Sequence, residues 1–165
     1  MKKYLLLSAI IPFVGLAQQN STPFKEVVDT LQNLKLNIPA NWTMEYGIFL
    51  NRKHKKVGEV LGFIDDCSFK THRDYIKQVR KGYIDDPTTT KFISSDTITL
   101  NKRLWTRALR TVEMWNGKGG GEKAFSYEYF TFLERKCFQV TFYSKQKKPV
   151  EKTLYEQVLS SIQPL

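Results

Sequence analysis

The sequence predicts an α+β domain, a meander-rich antiparallel β-sheet packed by two main helices. Three observations lead there. Four apolar-rich runs between residues 92 and 144 follow one another through short turns, a Thr71-x-x-Asp74 capping pattern opens an amphipathic segment, and Leu154, Tyr155, Val158, Leu159 and Ile162 recur at helical spacing. Connections that short demand antiparallel neighbours, because a parallel crossover takes about a dozen residues or more.

The chain opens with Lys2 and Lys3, an apolar stretch from Tyr4 to Val14, and then Gly15, Leu16 and Ala17 ahead of Gln18 and Gln19. This charged, apolar, small-residue order is that of a secretory signal peptide. The expected organisation is a signal peptide over 1–17, a polar lead-in over 18–24 and one domain over 25–165. The apolar stretch is interrupted by Pro12 and is shorter than the roughly 20 residues of a membrane-spanning helix. The mature chain is therefore expected to be exported, periplasmic or secreted, with no transmembrane segment.

Lys25 to Asp29 has mixed signals: Phe24, Val27, Val28 and Leu31 fall at helical spacing, but the paired valines favour a strand, which is the reading adopted. Leu34 to Pro39 alternates apolar and polar residues and ends on a proline that cannot donate to a ladder. Trp42 follows as a core plug. Glu45 to Leu50 and Val57 to Ile64 read as a hairpin around the charged turn Asn51 to Lys56.

A helix is expected from Thr71 to about Tyr83. His72, Tyr75, Ile76, Val79 and Tyr83 share one face, and Lys70, Arg73, Lys77, Arg80 and Lys81 share another. Strands follow near Phe92–Leu100, Arg103–Trp115, Lys123–Glu134 and Cys137–Ser144, with turns at Asn101-Lys102, Gly117 to Gly121 and Arg135-Lys136. Phe125, Tyr127 and Tyr129 lie opposite Phe130 and Phe132, and such a row reads as a core face covered by a helix. Pro149 suits the first turn of the closing helix, with Glu151 near its positive end.

This order of elements resembles the PsbP-like fold, known from exported PsbP and DcrB-like domains and from a Ran-binding nuclear import factor. The residues that carry the resemblance are Ile38-Pro-Ala-Asn-Trp42 after the first strands and Leu159-Ser-Ser-Ile162 at the end of the last helix. The resemblance implies an α/β/α sandwich over most of the mature chain. It also implies a function in binding or assembling other macromolecules, with no shared catalytic residue to carry over.

Side-chain chemistry points the same way. The histidines are His54, in a lysine-rich turn, and His72, at a helix start, and neither sits in a nucleophile–base motif. Asp65, Asp66, Cys67, Asp85 and Asp86 read as turn and cap residues without calcium-loop spacing. Glu113, Glu128 and Glu134 are expected on solvent-facing strand positions. Gly117 to Gly121 lacks the Lys-Ser/Thr ending of a phosphate loop. No catalytic residue, cofactor or metal ligand is assigned.

The formal charge is +10, or +8 without Lys2 and Lys3, which favours encounter with anionic partners. The candidate anion-contact residues are Arg52, Lys53, Lys55 and Lys56 in the turn and Arg73, Lys77, Arg80 and Lys81 on the helix. Lys145, Lys147 and Lys148 lie near the last strand. The reading preferred for each group is a solvated edge, and charged turns of this kind also keep sheets from pairing. Cys67 and Cys137 leave two readings open, a disulfide favoured by an oxidising compartment or two small buried hydrophobes.

The function expected is a noncatalytic exported binding or assembly factor of the bacterial cell envelope. Its partner would be another envelope protein or an anionic envelope component, and nucleic acid is not expected. The alternatives are a small exported hydrolase with an unrecognised acid–base pair and a basic protein held to anionic lipid or polysaccharide.

Overall fold

A computed structural model of the chain describes residues 22–64, 69–85, 91–115, 121–133, 136–147 and 152–165. The signal peptide, most of the polar lead-in, Asp65 to Cys67, Asp86, Gly117 to Gly120, Glu134, Arg135, Lys148, Pro149 and Glu151 lie outside the described residues.

The strands are β1 (Phe24–Asp29), β2 (Leu34–Pro39), β3 (Thr43–Glu45), β4 (Ile48–Leu50), β5 (Lys56–Ile64), β6 (Lys91–Leu100), β7 (Arg103–Trp115), β8 (Gly121–Leu133), β9 (Lys136–Ser144) and β10 (Gln163–Pro164). The helices are α1 (His72–Asp85) and α2 (Lys152–Ser160). A seven-stranded sheet runs β3-β4-β5-β9-β8-β7-β6, and a three-stranded sheet runs β1-β2-β10. Every pairing is antiparallel. The meander is β6 to β9, and β9 then lies beside β5, which joins the early hairpin to the late strands.

Alternation along β8 shows why both faces of the large sheet are covered. Tyr127, Tyr129 and Leu133 point into a core shared with Trp42, Phe49, Phe138, Val140 and Phe142, closed by Leu34, Leu36 and Ile38 of β2 and by Tyr155, Val158 and Leu159 of α2. Phe130 points the other way and packs with Tyr75 of α1 and Cys137. Its ring stacks on Tyr75 at 4.0 Å and 9°. The domain is therefore an α+β sandwich with α1 on one face and α2 plus the small sheet on the other.

The helix start follows from local chemistry. The Thr71 hydroxyl accepts the Asp74 N–H at 3.1 Å and donates to the Asp74 carboxylate at 2.9 Å. That bond to Thr71 is the main reason the Asp74 carboxyl titrates below its ordinary range. On α1, Tyr75 is buried and His72, Ile76 and Val79 are half-buried, while Arg73, Lys77 and Arg80 face water, as the helical periodicity requires.

Two elements differ from the sequence expectation. The run Glu45 to Leu50 is not one strand: Tyr46 (φ 51°) and Gly47 (φ 78°) form a left-handed turn that folds β3 back on β4. Two-residue hairpins favour positive φ at both centres because that twist matches the strands, and Tyr46 is an unusual occupant. The chain after α2 adds an element that the sequence reading lacks: Ile162 is buried, and Gln163–Pro164 pairs with β2. A two-residue strand has no periodicity to read.

Candidate functional site at the end of β9

The lysine turn is shaped by Asn51. Its side-chain oxygen accepts the N–H groups of Lys53 at 2.9 Å and Lys55 at 3.1 Å, and its carbonyl accepts the His54 N–H at 2.8 Å. With His54 in the left-handed region at φ 53°, the turn closes on its own polar groups and holds Arg52, Lys53, His54 and Lys55 in water. His54 is the solvated turn residue its sequence context suggests.

Lys56 turns inward instead. Its ammonium lies 2.7 Å from Glu59 Oε2 and 5.4 Å over the Tyr143 ring. The Tyr143 hydroxyl donates to the other Glu59 oxygen. Burial, reinforced by Glu59, raises the Tyr143 pKa well above its ordinary value, so the phenol stays neutral and keeps donating.

Beyond Tyr143 the strand ends in a turn. Ser144 Oγ accepts the Gln146 N–H at 3.1 Å, the Lys147 carbonyl accepts the Tyr127 hydroxyl, and Lys145 reaches Glu122 at 2.5 Å. The bond from Lys145 is the leading cause of a lowered Glu122 pKa, with Lys55 adding to it from across the cleft.

A cleft of about 440 Å³ lies between these segments, lined by Lys55, Lys56, Val57, Met114, Glu122, Ala124 and Tyr143. A second, of about 450 Å³, opens beside it towards Asn41, Trp42, Gln146, Leu154 and Tyr155. Both share Asn51, Val57, Tyr143, Ser144 and Lys145. Lysines from two chain segments some 90 residues apart (145 − 55) thus rim one groove.

The candidate basic residues therefore divide. Lys55 and Lys56 meet Lys145 at the groove, with Arg52 and Lys53 on the same turn. Arg73, Lys77, Arg80 and Lys81 belong to α1, which packs over β6, β7 and β8 rather than beside the β4–β5 turn. Arg80 lies 5.5 Å over the Phe92 ring at the β6 edge. The sequence could not supply this division, because it depends on β9 inserting between β5 and β8.

Glu128 corrects the sequence expectation of a solvent-facing carboxylate. It is 2% exposed, on the same face as Phe130, and pairs with Arg110 at 2.5 Å. Ser126 Oγ lies 3.4 Å from it. The signal was the double row of aromatics around it, which marks both faces of β8 as covered. Glu113 is exposed, as expected.

His72 is bonded through Nδ1 to Thr106 Oγ1 at 2.8 Å and wedged edge-on against Phe130 and Phe132. Burial lowers its pKa. Among the described residues no three His, Cys, Asp or Glu side chains gather as a metal-holding group, and no helix is long and apolar enough to cross a membrane. Cys137 is wholly buried on β9.

No family model and no curated protein matches the sequence. Solved structures do match. The solution structure of cyanobacterial PsbP (CyanoP) from Synechocystis sp. PCC 6803 is 12% identical, with 93% of this chain and 99% of that one covered at a TM-score of 0.57. Protein PA94 of Pseudomonas aeruginosa, of unknown function and called a putative regulator, is 9% identical, with 86% and 97% covered at a TM-score of 0.52. A Bacteroides thetaiotaomicron protein is 14% identical at a TM-score of 0.50, over 86% of this chain and 48% of that longer one. Likeness across nearly the whole of two such chains, with the element order read above, shows that this chain has the PsbP-like fold.

Proposed function

We propose that the chain is a noncatalytic exported binding factor of the cell envelope, and that the groove at the end of β9 is where it engages an anionic partner. The observation that carries this reading is the meeting of Lys55, Lys56 and Lys145 on one groove with a neutral phenol and an apolar floor. Reactive groups elsewhere are committed to structure. Glu128 is paired with Arg110, His72 is bonded to Thr106, and Arg107 is held between Asp96 and Glu156. Among the described residues Glu122 is the one Asp, Glu or His side chain that lines either cleft, and it is held by Lys145, which speaks against a hydrolase built on a pair of such groups, since both members have to reach substrate.

Export is supported by the order of residues 1–17, and an oxidising compartment suits a pairing of Cys67 with Cys137, which we include in the proposal. The test is retention of envelope components on immobilised protein. Lys55→Glu with Lys145→Glu is expected to abolish retention, while the same charge change at Arg73 and Lys77 of α1 leaves it intact. Equal loss from both pairs would mean that overall charge, not the groove, does the binding.

A further inference from the structure

Resting on that reading, we infer that the groove takes an extended acidic segment of a partner protein, with apolar residues interleaved among its carboxylates. The two clefts lie side by side over the same strand ends and share Tyr143, Ser144 and Lys145, so the site is long rather than round. A compact anion would fill only part of it. A chain laid along it would reach the lining of both clefts.

The groove itself shows how a carboxylate is received. Lys145 holds Glu122 at 2.5 Å and Lys56 holds Glu59 at 2.7 Å. Lys55 is exposed and has no carboxylate within ion-pair distance among the described residues. An incoming acidic side chain pairs with Lys55 and competes with Glu122, which is itself exposed, for Lys145. Ion pairs at such an open rim are individually weak, so steering and selectivity come from several together.

The rest of the lining has a different character. Val57 and Met114 offer apolar contact, and the side-chain amides of Asn41 and Gln146 offer donors and acceptors that match a peptide backbone. Two other ligand classes fit less well. A sugar polymer would stack on open aromatic faces, and here Trp42 and Tyr155 are only 6% and 3% exposed, while the half-buried Tyr143 ring has the Lys56 ammonium over its face. A lipid surface would be met by protruding apolar side chains. Among the described residues the exposed large ones are Val28, Leu31, Tyr46, Leu104 and Leu165, none of which lines the groove.

The test is a titration of the full mature chain, followed residue by residue through its amide resonances. The probe is a short capped peptide alternating glutamate with leucine and alanine, compared with its glutamine counterpart, polygalacturonate and phosphatidylglycerol vesicles. The expected result is saturable shifts at Asn51, Lys55 and Tyr143 to Gln146, at least about tenfold weaker binding with Lys55→Glu and Lys145→Glu, and no binding of the glutamine peptide. Shifts centred on α1, equal binding of the glutamine peptide, or tighter binding of polygalacturonate or vesicles would overturn the inference. If no probe binds while the same double variant still abolishes retention of envelope components, the acidic-segment inference falls and the binding function stands. If neither assay responds to the double variant, both fall.

Discussion

Glu128→Gln keeps the size and shape of the buried side chain while deleting its charge, which isolates what the ion pair with Arg110 does. The Glu128 side chain is 3% exposed and that of Arg110 27%. Breaking a buried pair by removing one partner costs about 3–5 kcal/mol, because the remaining charge is stranded. Arg110 keeps some contact with water and the new amide still offers an acceptor, so roughly 2–3 kcal/mol is expected here. For a domain of this size that corresponds to a fall of roughly 4–12 °C in Tm.

The assay is urea and thermal unfolding of the variant beside Arg110→Leu with Glu128→Leu, which removes both charges together. Replacing a whole buried pair by apolar groups is often neutral or stabilising, so the double variant is expected to be more stable than Glu128→Gln alone. A Glu128→Gln protein within about 0.5 kcal/mol of the parent would refute the reasoning, since that is the range of an ordinary surface change. Binding at the groove, measured well below either Tm, is expected to be unchanged.

Other consequences can be measured by similar means. Gly58→Ala would place a Cβ 2.6 Å from the Thr141 carbonyl oxygen and 2.8 Å from the Phe142 ring, and since backbone cannot step aside, a loss of about 1–3 kcal/mol in urea unfolding is expected. The lowered His72 pKa means the fold favours neutral imidazole. Stability is then fully present above the unfolded value of 6.5 and declines as pH falls from there towards the folded pKa, and His72→Gln should flatten that decline. Cys67 and Cys137 are 70 positions apart (137 − 67), so reduction of the proposed disulfide is expected to lower stability by roughly 4 kcal/mol, and peptide mapping without reductant should recover the two cysteines linked. Two free thiols on mapping would remove that part of the proposal.

What was legible in the sequence were features with a period or a local rule. The β6–β7 and β8–β9 hairpins, the Thr71–Asp74 cap and the buried stripe Tyr155, Val158 and Leu159 each depend on residues within a few positions of one another. The left-handed Tyr46-Gly47 turn broke an apolar run that carried no other mark of interruption. The groove depends on β9 lying beside β5, a register of Gly58 with Phe142 that local pattern does not encode. The burial of Glu128 did have a local mark, the aromatics on both faces of β8, but the charge of a lone carboxylate reads as solvent-facing until its partner Arg110 on β7 is known. Fold-level likeness at 12% identity supplies architecture and leaves function to the site itself.

The most direct test replaces Ser144, which both clefts share, with a photo-crosslinking amino acid in the cell that makes the protein, beside the same replacement at Lys77 on α1. The account predicts one discrete crosslinked partner from Ser144, lost with Lys55→Glu and Lys145→Glu, and none from Lys77. No adduct from Ser144, or the same adducts from both positions, would contradict it.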